Sequence, residues 1–180
     1  MIDHEAIATH FMDYVESFFD DSSLCTTHQP TIVILMGGPA GGKTTIRKQR
    51  YSHGYVIVDA ADIFLRLCDG EYVAFPDELL DIPLNIIGGI VACRAIEQRR
   101  NIVTEIIGAD YAATQKLIES MRSVGYHVDV QLITCDIAVA AERNFSRGDD
   151  CISAYYAEAY QQRWLVNAAY VILHPEDTDA

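Results

Sequence analysis

Short apolar runs at 31–36, 55–59, 101–107, 128–135 and 168–173 are separated by longer segments whose apolar residues recur at three- and four-residue intervals. The runs are rich in Val and Ile and read as strands; the intervening segments read as amphipathic helices. Ile7, Phe11, Tyr14, Val15 and Phe18 form one helical stripe within residues 1–24, with Asp3 as a candidate N-cap. Packing on the domain is the expected use of that stripe, and docking of a partner is the alternative. Ile86, Ile87, Ile90, Val91 and Ile96 mark a helix over 84–100 that ends in cations. Leu117, Ile118, Met121 and Val124 mark another, closed by Gly125. Residues 136–147 and 153–164 read as two more helices. The stretch 68–83, with Gly70, Pro76, Pro83 and five acids, is poorly periodic and reads as a substrate-side insertion or as a solvated acidic connection.

Strands that alternate with helices predict an α/β fold: a doubly wound, mostly parallel, five-stranded sheet with helices on both faces. At 180 residues, half of them hydrophobic, the chain has enough apolar surface for one substantial core. A single domain over 1–180 is expected, with an acidic tail at 175–180.

Directly after the first apolar run stands Gly37, Gly38, Pro39, Ala40, Gly41, Gly42, Lys43, Thr44, Thr45. This fits G-x-x-x-x-G-K-[ST], the phosphate-binding loop, in the required setting of a buried strand before it and a helix after it. Glycines let successive amides turn inward around a polyphosphate, Lys43 can reach its terminal phosphoryl groups, and the Thr44 hydroxyl can ligate magnesium. The architecture expected is therefore that of P-loop kinases, with ATP and Mg2+ as the bound species.

Composition narrows the partners. A formal net charge of −13 repels nucleic acid and anionic lipid, which argues against a polynucleotide kinase and against a membrane-surface role. Only three lysines are present, so the cluster Lys43, Arg47, Lys48 and Arg50 points to a small anion at the loop. Arg47, Lys48 and Arg50 could alternatively be solvated helix residues, so the functional weight rests on Lys43. The five cysteines form no C-x-x-C pair and read as buried apolar residues of a reducing cytosol; the histidines lack zinc spacing. No leader or membrane span is read, and a cytoplasmic protein is expected.

Three acids stand out. Asp59 ends the second strand and Asp62 follows it, at the carboxyl edge where ligands bind in open α/β sheets. Glu105 lies within the third apolar run, where it needs a cation or magnesium beside it, or an arginine in a structural pair. Arg143 and Arg147, one helical turn apart, can reach a transferring phosphoryl group or pair with Asp149 and Asp150.

In this order, the loop at 37–45, the acids Asp59 and Asp62, Glu105 on its strand, Gly125-Tyr126, and the helix with Arg143 and Arg147 resemble the zeta-toxin family of P-loop small-molecule kinases. The resemblance spans about 31–170. It implies transfer of the ATP γ-phosphoryl group to a hydroxyl of a small molecule, a UDP-linked amino sugar in the best-known members. Aligned without gaps, the family's catalytic aspartate falls on Ala61, between Asp59 and Asp62. Counted from Lys43, Asp62 is also where chloramphenicol phosphotransferase-like and shikimate kinase-like enzymes place their acid. By the resemblance Glu105 orients substrate or magnesium, and Arg143 and Arg147 are lid arginines. The assignment adopted has Lys43 and the loop amides on the β- and γ-phosphates, Thr44 and Asp59 on magnesium, and Asp62 as the base. The rival is a nucleotide-binding module without catalysis that acts through a protein partner; a GTPase is a weaker one, for want of N-K-x-D. An antitoxin that blocks the ATP site is a further alternative.

Overall fold

The computed structural model describes residues 11–19, 29–60, 62–63, 77–108 and 110–146. In chain order these form α1 (Phe11–Ser17), β1 (Thr31–Met36), α2 (Lys43–Arg50), β2 (Val56–Ile57), α3 (Asp77–Glu97), β3 (Ile102–Ile106), α4 (Tyr111–Ser123), β4 (His127–Leu132) and α5 (Ile137–Phe145). The expected strand at 168–173, the helix at 153–164, the acidic tail, most of the 68–83 stretch, Asp3, Ala61 and Arg147 lie outside the described residues.

The four described strands form one parallel sheet in the order β2-β3-β1-β4. β1 is central and is buried from Ile32 onward, which is why its sequence is continuously apolar rather than alternating. Its side chains still divide by face. Ile32 and Ile34 join Val15, Phe18, Ile87, Val91, Ala95, Ile118, Met121 and Tyr126 in the larger core on one side. Val33 and Leu35 pack with Val103, Ile46 and Tyr51 on the other. Both faces are covered, as expected for a doubly wound sheet. Each fully buried aliphatic side chain contributes about 1.5–3 kcal/mol.

Element ends follow local chemistry. Asp110 caps α4 by accepting from the Ala113 amide at 3.1 Å, and Asp136 caps α5 by accepting from Ala138 and Val139. Gly125 follows α4 with φ 88°, the left-handed conformation that glycine takes without a Cβ penalty.

Several expectations are corrected. α3 begins at Asp77, seven residues before the expected start, and carries Pro83 inside it. Of its expected stripe only Ile87 and Val91 are buried, joined by Ala95, whereas Ile86 and Ile90 are exposed. Val124 is also exposed, because α4 has ended before it. Cys93 is exposed and Cys135 half-buried, so the expected burial fails for Cys93. Among the described residues no helix is long and apolar enough to cross a membrane.

Candidate functional site

The carboxyl ends of β1 and β3 lie side by side, with Leu35 opposite Glu105 and Met36 opposite Ile106. The strand order turns back at β1, since β2 and β3 lie to one side of it and β4 to the other, so the loop at 37–45 opens at a switch point of the sheet. The loop leaves β1 through Gly37, whose amide donates to the Ile106 carbonyl at 3.1 Å. It enters α2 at Gly42 with φ 102°. The first-turn amides of α2 point out of the helix toward the loop's concavity, which makes an anion cradle at the positive end of the dipole.

Gly37 is required by space rather than by conformation. A Cβ there would lie 2.5 Å from the Ile133 carbonyl oxygen, a backbone atom held by the bond from the Ile133 amide to Met36. Gly37→Ala is expected to destabilise the protein by about 1–3 kcal/mol, the usual cost of overpacking. Urea denaturation checks this, and wild-type stability would show that the loop packs differently.

Lys43 folds back on the loop, donating from Nζ to the carbonyls of Gly37 at 2.7 Å and Gly38 at 3.0 Å. The Thr44 hydroxyl donates to Glu105 Oε2 at 2.9 Å. The other oxygen of Glu105 accepts from Arg47 Nε at 2.5 Å. Arg47 Nη2 reaches Asp62 Oδ1 at 3.5 Å. Asp59 Oδ2 accepts from the Asp62 amide at 3.1 Å, and the Ile63 amide bonds to the Asp59 carbonyl, so Asp59 caps the helical turn that carries Asp62.

The structure therefore brings Lys43, Thr44, Glu105, Asp59 and Asp62 together. It also places Arg47 among these acids, where the sequence suggested either an anion-binding cation at the loop or a solvated helix residue. Arg47 is 5% exposed, whereas Lys48 and Arg50 are exposed. The available signal was spacing: Arg47 lies four residues after Lys43 and so shares its helix face. The acid bonded to the Thr44 hydroxyl is Glu105; Asp59 turns instead to the backbone of Asp62. Arg143 is exposed, with Nη1 3.5 Å from the Cys135 sulfur, and Cys135 in turn flanks Gly41.

Burial, and then the nearby Glu105 carboxylate, push the Asp59 carboxyl up to about 6; the Asp62 amide and the Arg47 guanidinium oppose this. A carboxyl raised above its ordinary value favours the fold below about pH 4. That contribution is lost as pH rises through about 6, where the buried group must ionise. Two pH units correspond to roughly 3 kcal/mol at most. Asp59→Asn is therefore expected to exceed the wild type in stability by about 1–3 kcal/mol at pH 8, with the gap closing toward pH 4. Urea midpoints at the two pH values check it; a pH-independent gap would contradict it.

Magnesium fits this donor set. The Thr44 hydroxyl and the Glu105 and Asp59 carboxylates are hard oxygens. Among the described residues no group of three His, Cys, Asp or Glu side chains could hold a metal ion.

No protein-family model and no curated protein sequence matches the chain. Among solved structures it is similar to one of the PezAT chromosomal toxin-antitoxin system of Streptococcus pneumoniae, with TM-score 0.65 and 16% identity over 98% of this chain and 70% of that one. It is similar to AvrRxo1-ORF1:-ORF2 with ATP, with TM-score 0.71 and 16% identity over 93% of this chain and 57% of that one. A third is a chain of an RNA repair complex containing Pnkp1, with TM-score 0.62 and 18% identity over 83% and 49% of the two chains. The chain thus spans between about half and 70% of the length of these structures. At such identities the likeness is one of fold, and the fold is that of P-loop kinases, in agreement with the resemblance drawn from the motifs.

Proposed function

We propose that this protein is an ATP- and magnesium-dependent phosphotransferase of the zeta-toxin type, acting on a hydroxyl of a small molecule. The observation that carries the reading is the joining of an anion cradle to an acid pair. Thr44, at the start of the loop helix, is connected through Glu105 and Arg47 to Asp62 by successive polar contacts, and Lys43 beside it is bonded to the loop carbonyls of Gly37 and Gly38. Phosphoryl transfer asks the protein for positioning and charge neutralisation rather than for covalent chemistry, and these residues supply both.

In the proposed reaction the loop amides and Lys43 hold the β- and γ-phosphates. The acceptor oxygen forms a bond to the γ-phosphorus as the bond to the β,γ-bridging oxygen breaks, and ADP leaves. The hydroxyl proton passes to Asp62, whose side chain is 20% exposed and so accessible from the crevice. Asp59 is the more buried of the two and holds the Asp62 turn. A bound magnesium, held by Thr44 with Glu105 or with Asp59 through water, would neutralise charge on the phosphates. Arg143, together with Arg147, would close over the equatorial oxygens.

A nucleotide sugar bearing an amino sugar is the acceptor class to test first, on the strength of the motif resemblance. Two of the similar structures are a toxin-antitoxin system and a two-component complex, which supports a search for a protein partner that covers the loop. The deciding experiment incubates purified protein with ATP, magnesium and pooled nucleotide sugars, followed by mass spectrometry. A product heavier by one phosphoryl group supports the reading. ATP binding without any product from this or a wider metabolite pool would leave the nucleotide-binding module in its place.

A further inference from the structure

Arg47 is a buried guanidinium set among three carboxylates from two different elements. Glu105 comes from β3, and Asp59 and Asp62 from the turn that follows β2. The remaining cation of the site, Lys43, is engaged with the Gly37 and Gly38 carbonyls. Arg47 contacts Glu105 through Nε and Asp62 through Nη2, and its side chain is 6% exposed. A planar fork of fixed donors can set the places of two acids at once; an ammonium on a flexible stem cannot. Buried ion pairs add little stability beyond what apolar side chains of equal volume would give, so stability alone is a poor reason to keep one at the mouth of a cleft.

We infer that Arg47 is a positioning residue: it holds Glu105 against the Thr44 hydroxyl and Asp62 at the crevice, fixing both acids around the place of a terminal phosphate. Loss of Arg47 then costs turnover rather than nucleotide affinity, because Arg47 bonds to Glu105 and Asp62 whereas Lys43 is held by the loop carbonyls of Gly37 and Gly38. The kinetic part of this inference rests on the phosphotransferase reading; the pairing itself does not.

The test uses the full chain with Arg47→Met, Arg47→Lys, Glu105→Gln and the double variant Arg47→Met/Glu105→Gln. Urea denaturation is expected to show a folding equilibrium constant lowered about a hundredfold in Arg47→Met, with most of the loss recovered in the double variant, since removing one partner of a buried pair strands the other. Maximal turnover is expected to fall about a hundredfold in Arg47→Met and to stay low in both the double variant and Arg47→Lys, while calorimetric ATP affinity stays within about threefold of wild type. Additive stability effects would overturn the pairing. Wild-type turnover in the stable double variant would overturn the positioning role. Should the wild type transfer no phosphoryl group, the phosphotransferase reading falls, and the effect of magnesium on ATP affinity becomes the readout. Loss of that effect in Arg47→Met would support the inference, and its retention would overturn it.

Discussion

Lys43→Ala is expected to lower ATP turnover by about 10²–10³-fold, the range found when one donor to transition-state charge is removed, while the protein stays folded. Lys43 is the cation nearest the loop's concavity, and its Nζ bonds are to the carbonyls of Gly37 and Gly38. Those carbonyls belong to a loop that is also held by the Gly37–Ile106 and Ile133–Met36 backbone bonds. Losing the Lys43 contacts therefore costs the fold about 1 kcal/mol, the usual net worth of such hydrogen bonds. In the transition state the same ammonium would face phosphoryl oxygens in a partly desolvated cleft, where its charge counts for far more. Circular dichroism and a thermal melt establish the fold, and a coupled ADP-release assay measures turnover. Normal turnover in a folded Lys43→Ala protein would remove the loop from the mechanism.

Asp62→Asn is expected to reduce turnover by about a hundredfold or more, the range of general-base removal, with ATP affinity little changed. Asp62 is the more accessible acid of the pair and lies beside Arg47, whose Nη2 is 3.5 Å from its Oδ1. Asp59 holds the turn beneath it, and its carboxyl titrates near 6 because burial disfavours the charge. The matched substitution Asp59→Asn keeps an oxygen that can accept from the Asp62 amide, so it tests the charge of Asp59 apart from its capping role. Initial rates at saturating ATP compare the two variants. A large loss in Asp59→Asn with a small one in Asp62→Asn would reverse the assignment, making the group raised to about 6 the proton acceptor.

The stability expected of Asp59→Asn belongs to the same trade. A buried carboxylate is kept at a cost of up to about 3 kcal/mol above pH 6, and sites that need such groups give up stability for them. The expected gain at pH 8, set against a turnover measurement on the same protein, ties the pH dependence of the fold to the chemistry.

Much of the site was open to reading because its parts are local. The loop follows β1 without a gap, and glycine spacing, Lys43 and Thr44 are properties of nine consecutive residues. Asp59 and Asp62 were placed by their position at a strand end, and Glu105 by the cost of an acid in an apolar run. Helix ends were less legible. Asp77, Asp81 and Pro83 carry the polarity and the breaker of a loop, yet α3 runs through all three. Its apolar spacing also overstated the buried face, since a stripe two residues wide cannot say which edge meets the core, and Ile86 and Ile90 fell on the outer one.

The sequence alone was enough to specify an α/β chain with a phosphate loop on its first buried strand and acids at the ends of the next two, because each of these is written in short-range spacing and residue chemistry. The partner of Glu105 was decided by the tertiary structure. Arg47 and Glu105 are 58 residues apart, and they meet because β3, rather than β2, lies beside β1 with Leu35 opposite Glu105 while α2 packs on that same face. Strand order among parallel neighbours leaves no trace in periodicity, since every buried strand looks alike along its own length. Only the assembled sheet, with its order β2-β3-β1-β4, turns a helix arginine into the bracket of two acids.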